Sequence, residues 1–238
     1  MHVELSTHTE TAPAATTQPS CRFCAAPLRH TFVDLGMSPL CESYVPAERV
    51  DAMEAFYPLH AKVCESCLLV QLEQFVTAAH IFEEYAYFSS YSDSWVQHAR
   101  TYVDMAVERF GLDSSSLVVE LASNDGYLLQ HVRDRGIPAL GIEPAANVAE
   151  AAVERGIETV VEFFGRDLAA RLADEGRRAD LLVANNVMAH VPDLNDFVEC
   201  GHRTTLARQV ALGERAKPHV ADEGAKLLSD KGMVHELE

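Results

Sequence analysis

Positive charge is the scarcest resource of this chain. Its 238 residues hold 19 Lys and Arg against 36 Asp and Glu, a net charge of −17. A surface of that sign repels a phosphate backbone and an anionic membrane face, so neither nucleic acid nor membrane is expected as a partner. A phosphorylated small molecule stays admissible, because a local basic pocket can overcome the global field. Long apolar runs are also missing: none reaches the roughly 18 to 20 residues that cross a bilayer. Residues 1–19, rich in Thr, Ala and Pro, contain no apolar signal-peptide core and read as a disordered leader. A cytoplasmic protein with reduced thiols is the expectation. Hydrophobic residues make up 48% and charged residues 23%, which leaves material for an ordinary core.

A glycine-rich phosphate loop is missing too, and at an informative place. Leu117-Val118-Val119-Glu120-Leu121 is an apolar run tipped by an acid. Ala122-Ser123-Asn124-Asp125-Gly126 follows as a turn, then an apolar helix through Tyr127, Leu128, Leu129 and His131. Ala122 and Asn124 stand where dinucleotide folds place glycines, which speaks against a pyrophosphate and an NAD-type oxidoreductase. A second apolar run, Ala139 to Ile142, ends in Glu143. A carboxylate there can accept both hydroxyls of a ribose. Two readings follow: acids that merely cap loops of a βαβ unit, or the site of a nucleoside cofactor without phosphates, such as S-adenosylmethionine.

The remaining pattern alternates strand and helix. Ala145 to Glu154 reads as a helix, residues 156–161 as a strand followed by Phe163 and Phe164, and Arg166 to Asp174 as a helix. Asp180 to Val187 reads as a fourth strand and its exit, carrying Asn185 and Asn186. This alternation predicts a parallel α/β sheet. His190 falls just past that strand, on the edge shared by Asn124 and Glu143. It is either a plain loop histidine or an imidazole placed to move a proton near neutral pH.

Four of the six cysteines form two knuckles, Cys21-x-x-Cys24 and Cys64-x-x-Cys67, separated by 39 residues. Two such pairs assemble a tetrahedral tetrathiolate site, for which zinc is the commoner structural metal and iron the alternative. Disulfides conflict with a reducing compartment, and a redox motif needs a strand-to-helix context absent here. Residues 20–73 are therefore expected to form a small zinc-binding domain of short strands and turns. Val63 and Leu68 to Leu72 are expected to shield its metal, and Cys41 to be a buried apolar side chain. Residues 74–110 read as a helical bridge, with Phe75, Ile81, Phe82, Tyr85, Tyr87 and Phe88 forming an aromatic patch. Most of that patch reads as core, with a tyrosine among 85, 87 and 91 as a candidate pocket residue.

Taken in order, these segments carry a specific resemblance. They are Val-Asp-Leu-Gly-x-Ser-Pro-Leu at 33–40, Val-Cys-x-x-Cys-x-Leu-Val-Gln-Leu at 63–72 and Tyr-Phe-Ser-Ser-Tyr-Ser at 87–92. Val-Val-Glu-Leu-Ala-Ser-Asn-Asp-Gly-Tyr-Leu-Leu at 118–129, Gly-Ile-Glu-Pro-Ala-x-Asn-Val-Ala at 141–149 and Ala-Asn-Asn-Val-x-Ala-His-Val-Pro-Asp at 184–193 complete the set. The chain resembles sugar C-methyltransferases that act on nucleotide-linked 4-keto deoxysugars in antibiotic pathways, most nearly the mycarose-type 3-C-methyltransferases. The resemblance implies a zinc domain ahead of a Rossmann-like S-adenosylmethionine domain. It implies that Glu120, Ala122, Asn124 and Gly126 shape the methionine side of the cofactor, and that Glu143 holds the ribose. Phe163 and Phe164 would border the adenine, and Asn185 and Asn186 the opposite edge. Tyr85, Tyr87 and His190 would face the sugar. Proton removal beside the ketone would give an enolate whose carbon takes the methyl group.

The resemblance covers residues 20–199. Residues 200–238 hold six Lys or Arg, six Asp or Glu and no aromatic residue. They read as a divergent tail, and residues 111–199 as an incomplete methyltransferase domain. A sheet ending after four strands would leave an apolar edge and a bare face, and with them poor stability as a monomer. A zinc-stabilised binding or scaffold remnant with a vestigial cofactor site is the competing function.

Overall fold

The structure, a computed structural model, describes residues 18–82 and 85–200. The expectations for the leader up to residue 17 and for the tail from residue 201 lie outside the described residues. Contacts divide the chain into two compact units. One comprises residues up to Gly36 together with Leu59–Glu73, the other Met37–Pro58 together with everything from Gln74 onward.

The first unit is built on a three-stranded sheet in the order β1-β2-β3, with β1 at His30–Ser38, β2 at Tyr57–Val63 and β3 at Val70–Leu72. Strands β2 and β3 are antiparallel, pairing Ala61 with Leu72 and Val63 with Val70. The core of this unit is small. Cys21, Leu28 and Cys64 are buried, with Phe23, Ala26, Cys67 and Leu69 packed against them. The shield expected from Leu68 to Leu72 is only partly present: Leu68, Val70 and Leu72 face solvent. Strand alternation sends Val70 and Leu72 outward and buries Gln71 between them, and Leu68 sits at a turn. Cys41 is exposed, not buried as expected, because it lies in a turn outside either core.

The second unit is a doubly covered parallel sheet. Helix α1 (Ala78–Phe82) is followed by a 3-10 turn at Ser89–Tyr91, so the predicted bridge is helical only in parts. Helix α2 runs from Asp93 to Phe110. The Ser92 hydroxyl accepts a hydrogen bond from the Trp95 N–H at its start, and Gly111 closes it in the left-handed conformation at φ 63°. Then come β4 (Val118–Leu121), α3 (Leu129–Arg133), β5 (Ala139–Ile142), α4 (Ala146–Glu154), β6 (Glu158–Val160), α5 (Arg166–Asp174) and β7 (Leu181–Val183). The strand order is β6-β5-β4-β7, and all three pairings are parallel. The chain builds outward from β4 through β5 to β6, then returns to place β7 on the other flank of β4. That reversal opens a crevice at the carboxyl ends of the strands, where open α/β sheets bind ligands.

Alternation along the strands sorts the core into two faces. Val118 and Val183 meet Ala99 and Val103 of α2, Leu129 and Val132 of α3 and Ala152 of α4. Val119, Leu121, Leu140 and Ile142 meet Leu168 and Leu172 of α5 together with Phe197. The second face is therefore not bare, contrary to the sequence expectation: α5 and the segment carrying Phe197 cover it. At the flank, β7 has no further strand beside it among the described residues.

Candidate functional site: a pocket at the carboxyl ends of the strands

The two knuckles of the first unit have the same backbone geometry. The Ala25 N–H donates to the Cys21 carbonyl at 2.9 Å and the Cys21 N–H to the Ala26 carbonyl at 2.8 Å. The second knuckle repeats this, Leu68 N–H to Cys64 carbonyl and Cys64 N–H to Leu69 carbonyl, both at 3.0 Å. Ala25 and Leu68 accordingly adopt φ of 60° and 65°, the left-handed conformation that such a turn requires. The four sulfurs converge within 4.8 Å of one another. Cys21 and Cys67 Sγ are 3.6 Å apart, and Cys24 and Cys64 Sγ 3.5 Å. Metal–sulfur bonds of about 2.3 Å in a tetrahedron put sulfurs roughly 3.8 Å apart, so the cluster has the size for one ion.

Gln71 supports this cluster and was not foreseen. Its amide donates to Cys21 Sγ at 3.2 Å, and its Oε1 accepts from the Arg22 N–H at 2.9 Å. Burial pushes the Cys21 thiol up. Backbone N–H groups of Cys24 and Phe23, the Gln71 amide and the Cys67 thiol outweigh that and bring it down to about 6. Gln71 thus orients and tunes a ligand without being one.

In the second unit, a cavity of about 420 Å³ opens at the carboxyl ends of the strands. Ten of the twelve non-metal residues singled out in the sequence line it: Tyr85, Tyr87, Ala122, Asn124, Glu143, Phe163, Phe164, Asn185, Asn186 and His190. Glu120 and Gly126 do not, and neither does Tyr91, the third tyrosine considered, which faces solvent. Glu120 shares the α2 and α3 side of β4 with Val118 and is fully buried. Neither of its oxygens has a hydrogen-bond partner in good geometry. Burial holds its pKa well above the usual carboxylate range, the Tyr127 hydroxyl offsetting this in part and the charges of Glu143 and Asp125 adding to it. Gly126, at φ 77°, acts through its backbone. A Cβ there would come within 3.0 Å of Ile157, so only glycine lets the loop lie flat on that side chain.

Glu143 is 5% exposed and sits at the end of β5. Its Oε2 accepts the Asn124 N–H and its Oε1 the Ala145 N–H, each at 2.9 Å. Burial raises its pKa, and those two N–H groups counter it. The loop after β4 is held tightly in return. Ala122 and Asn124 adopt φ of 54° and 50°, and Asn186 on the far wall 51°. Asparagine enters this left-handed region readily, so Ala122 is the strained one of the three.

The pocket wall is aromatic and acidic. Phe82, Tyr85, Tyr87, Trp95, Tyr127, Phe163, Phe164 and Phe197 line it with Glu143, Asp193 and Asp196, and among the described lining residues there is no Lys or Arg. Tyr85 meets Phe82 edge-on at 5.5 Å and Tyr87 at 6.3 Å. His190, at the end of the 3-10 turn Met188–His190, meets Phe82 edge-on at 6.1 Å. Trp95 stacks on Tyr127 at 6.0 Å, and the Tyr127 hydroxyl accepts from Asn185 at 3.3 Å. Trp95 and Tyr127 were missed as pocket residues. The only sequence signal was an aromatic one helical turn from the capping residue Ser92.

Such a pocket suits a nucleoside that carries positive charge. Glu143 offers remaining lone pairs to a diol, the aromatic faces offer a bed for a purine and a cation, and the tight loop after β4 allows close approach. A diphosphate would find no Lys or Arg among the described lining residues.

Comparison with known proteins agrees with this geometry. Residues 21–82 match a family model described as a zinc binding domain, and residues 95–212 one described as a methyltransferase domain. The C-methyltransferase NovU of Streptomyces niveus is 34% identical over 178 residues, which is 75% of this chain and 42% of that protein. The chain thus spans less than half the length of that relative. Among solved structures, an RNA methyltransferase from Salinibacter ruber in complex with S-adenosyl-L-homocysteine aligns at 18% identity and a TM-score of 0.24. That alignment covers 32% of this chain and 65% of the other. The MccD protein aligns at 12% identity and a TM-score of 0.21, covering 41% and 33%. Likenesses that slight carry no weight for function.

Proposed function

Because the chain belongs, across residues 21–212, to the C-methyltransferases that set a zinc-binding domain ahead of a methyltransferase domain, we propose that it serves S-adenosylmethionine-dependent C-methylation of a nucleotide-linked 4-keto deoxysugar, at C-3, in deoxysugar or antibiotic biosynthesis. The observation that carries the cofactor assignment is the pocket wall: eight aromatic residues and three carboxylates with no Lys or Arg among the described lining. A sulfonium over aromatic faces gains about 0.5–2 kcal/mol.

S-adenosylmethionine would supply an electrophilic methyl on a cationic sulfur. Glu143 would accept the ribose hydroxyls on lone pairs left free by the Asn124 and Ala145 N–H groups. Phe163 and Phe164 would border the adenine, with Asn185 and Asn186 at the opposite edge. Ala122 and Asn124 would shape the methionine side. His190, Tyr85 and Tyr87 would face the acceptor, where a proton beside the ketone must leave before carbon can attack. Holding the acceptor carbon against the methyl group supplies the proximity such a transfer needs. The acceptor's diphosphate would lie outside this cavity, whose described lining offers it no Lys or Arg. The four thiolates of Cys21, Cys24, Cys64 and Cys67 would hold a structural zinc with no open position, contributing to folding and not to reaction. No described helix is long and apolar enough to cross a membrane, which fits action on a water-soluble sugar nucleotide.

The test is calorimetric titration of the chain with S-adenosylmethionine and S-adenosylhomocysteine, then transfer of labelled methyl to a 4-keto nucleotide sugar. Replacing His190 with Ala should lower transfer by about 100-fold or more while homocysteine-product affinity stays within twofold. Absence of cofactor binding would leave the zinc-stabilised scaffold reading in its place.

A further inference from the structure

The aromatic segment at Tyr85–Tyr91 has little regular structure of its own beyond one 3-10 turn. Its backbone is nonetheless captured residue by residue by side chains of the sheet layer. Asn147 of α4 accepts the Tyr85 N–H at 3.1 Å and donates to the Tyr85 carbonyl at 2.7 Å. Asn124 accepts the Ser89 N–H at 2.8 Å and donates to the Tyr87 carbonyl at 3.0 Å. Asp125 accepts the Ser90 N–H at 3.3 Å and the Ser90 hydroxyl. Arg155 closes the set, 2.8 Å from Asp125 Oδ2 and donating to the Ser90 hydroxyl at 2.8 Å. Two carboxamides here play the part of a neighbouring strand. Each offers one donor and one acceptor to a backbone that has no ladder, as burial of peptide groups demands.

We propose that Asn147, Asn124 and Asp125 are positioning residues that hold Tyr85 and Tyr87 against the pocket, and that Asn124 links this segment to the cofactor's ribose site. The link is one residue long. The Asn124 N–H is bound by Glu143, while its side chain grips the segment. Anything that fixes the Glu143 carboxylate fixes Asn124, and through it the wall that faces the acceptor. Cofactor binding then completes the acceptor site, which orders the two ligands. Asn147 binds the segment at Tyr85 and is not among the residues that line the pocket. This rests on the proposed cofactor assignment.

Hydrogen–deuterium exchange on the full chain tests both parts, with S-adenosylhomocysteine as the probe. In the free protein, Asn147→Ala should speed exchange at Tyr85 about tenfold or more, from the loss of two hydrogen bonds. Alanine favours α4 itself, so the helix should stay protected. The probe should slow exchange at Tyr85, Ser89 and Ser90 in the native chain. In Asn124→Asp, which keeps the acceptor and loses the donor to Tyr87, exchange at Tyr85 should stay unchanged at probe concentrations that saturate the variant, and slowing equal to that of the native chain would overturn the link. Unaltered Tyr85 exchange in Asn147→Ala would overturn the clamp. Probe binding without slower exchange in the native chain would overturn the link. A probe that fails to bind would sink the cofactor assignment and the link together, while the free-protein comparison would still decide the clamp.

Discussion

The two units of this chain reach order by opposite means. The unit holding the knuckles buries two cysteines and one leucine, while Phe32, Leu35 and Leu68 face solvent. The α/β unit buries two full layers on either side of a four-stranded sheet. A domain with so small an apolar core needs a staple, and four convergent sulfurs provide one. The second unit needs none, so its polar residues are free to serve the pocket. Where polar groups in the first unit gather around four sulfurs, those in the second gather around the pocket.

The largest test of this contrast is removal of the metal. A chelator, or Cys64→Ser, should unfold residues 18–36 and 59–73 and leave protection in α2 through β7 intact. Structural zinc binding in small domains is worth about 10–16 kcal/mol. Amide exchange read segment by segment would break the comparison if both units, or neither, lost protection.

Next is Glu143→Gln, which exchanges an acceptor for a donor at the end of β5 and breaks one of two charge-assisted backbone bonds. S-adenosylhomocysteine affinity should fall about tenfold to hundredfold by calorimetry. Knuckle zinc stoichiometry should not change.

Gly141→Ala should cost about 1–3 kcal/mol by thermal melting. The added Cβ would lie 2.5 Å from Ser123 Oγ and 3.1 Å from Thr159 Oγ1, forcing the loop after β4 away from β5. An unchanged melting temperature would show that packing in the α/β unit is looser than its core implies.

The smallest effect is expected at Glu120. Its folded pKa lies above the unfolded value, so the native chain keeps a proton that the unfolded chain has lost. Stability from this group is full at acid pH and declines as pH rises from about 4.3 toward the raised value. Glu120→Gln should flatten that decline and, above the window, stabilise by about 1 kcal/mol. Denaturant melts across pH would refute this if the variant kept the native slope.

Much of the α/β layer was readable from pattern. Arg166–Asp174 is the helix its apolar period predicts, and Ala139–Ile142 the strand its run predicts. Cys21, Cys24, Cys64 and Cys67 meet because their spacing is itself a geometric statement. What escaped the sequence depends on long-range partners. Asn147 sits 62 positions from Tyr85 and Arg155 30 from Asp125, and neither has a local signature. Glu120 looked like a ligand contact because it precedes the loop, but strand alternation turns it inward beneath Tyr127. The cover on the second sheet face was missed because Leu194, Phe197 and Val198 form too short an apolar set, broken by acids, to read as a covering element.

One consequence of the Trp95–Tyr127 stack remains practical. This is the chain's single tryptophan, and it stands on the pocket wall. Tryptophan emission, excited where the seven tyrosines no longer absorb, is therefore a local signal. A molecule entering the cavity will shift its wavelength or brightness.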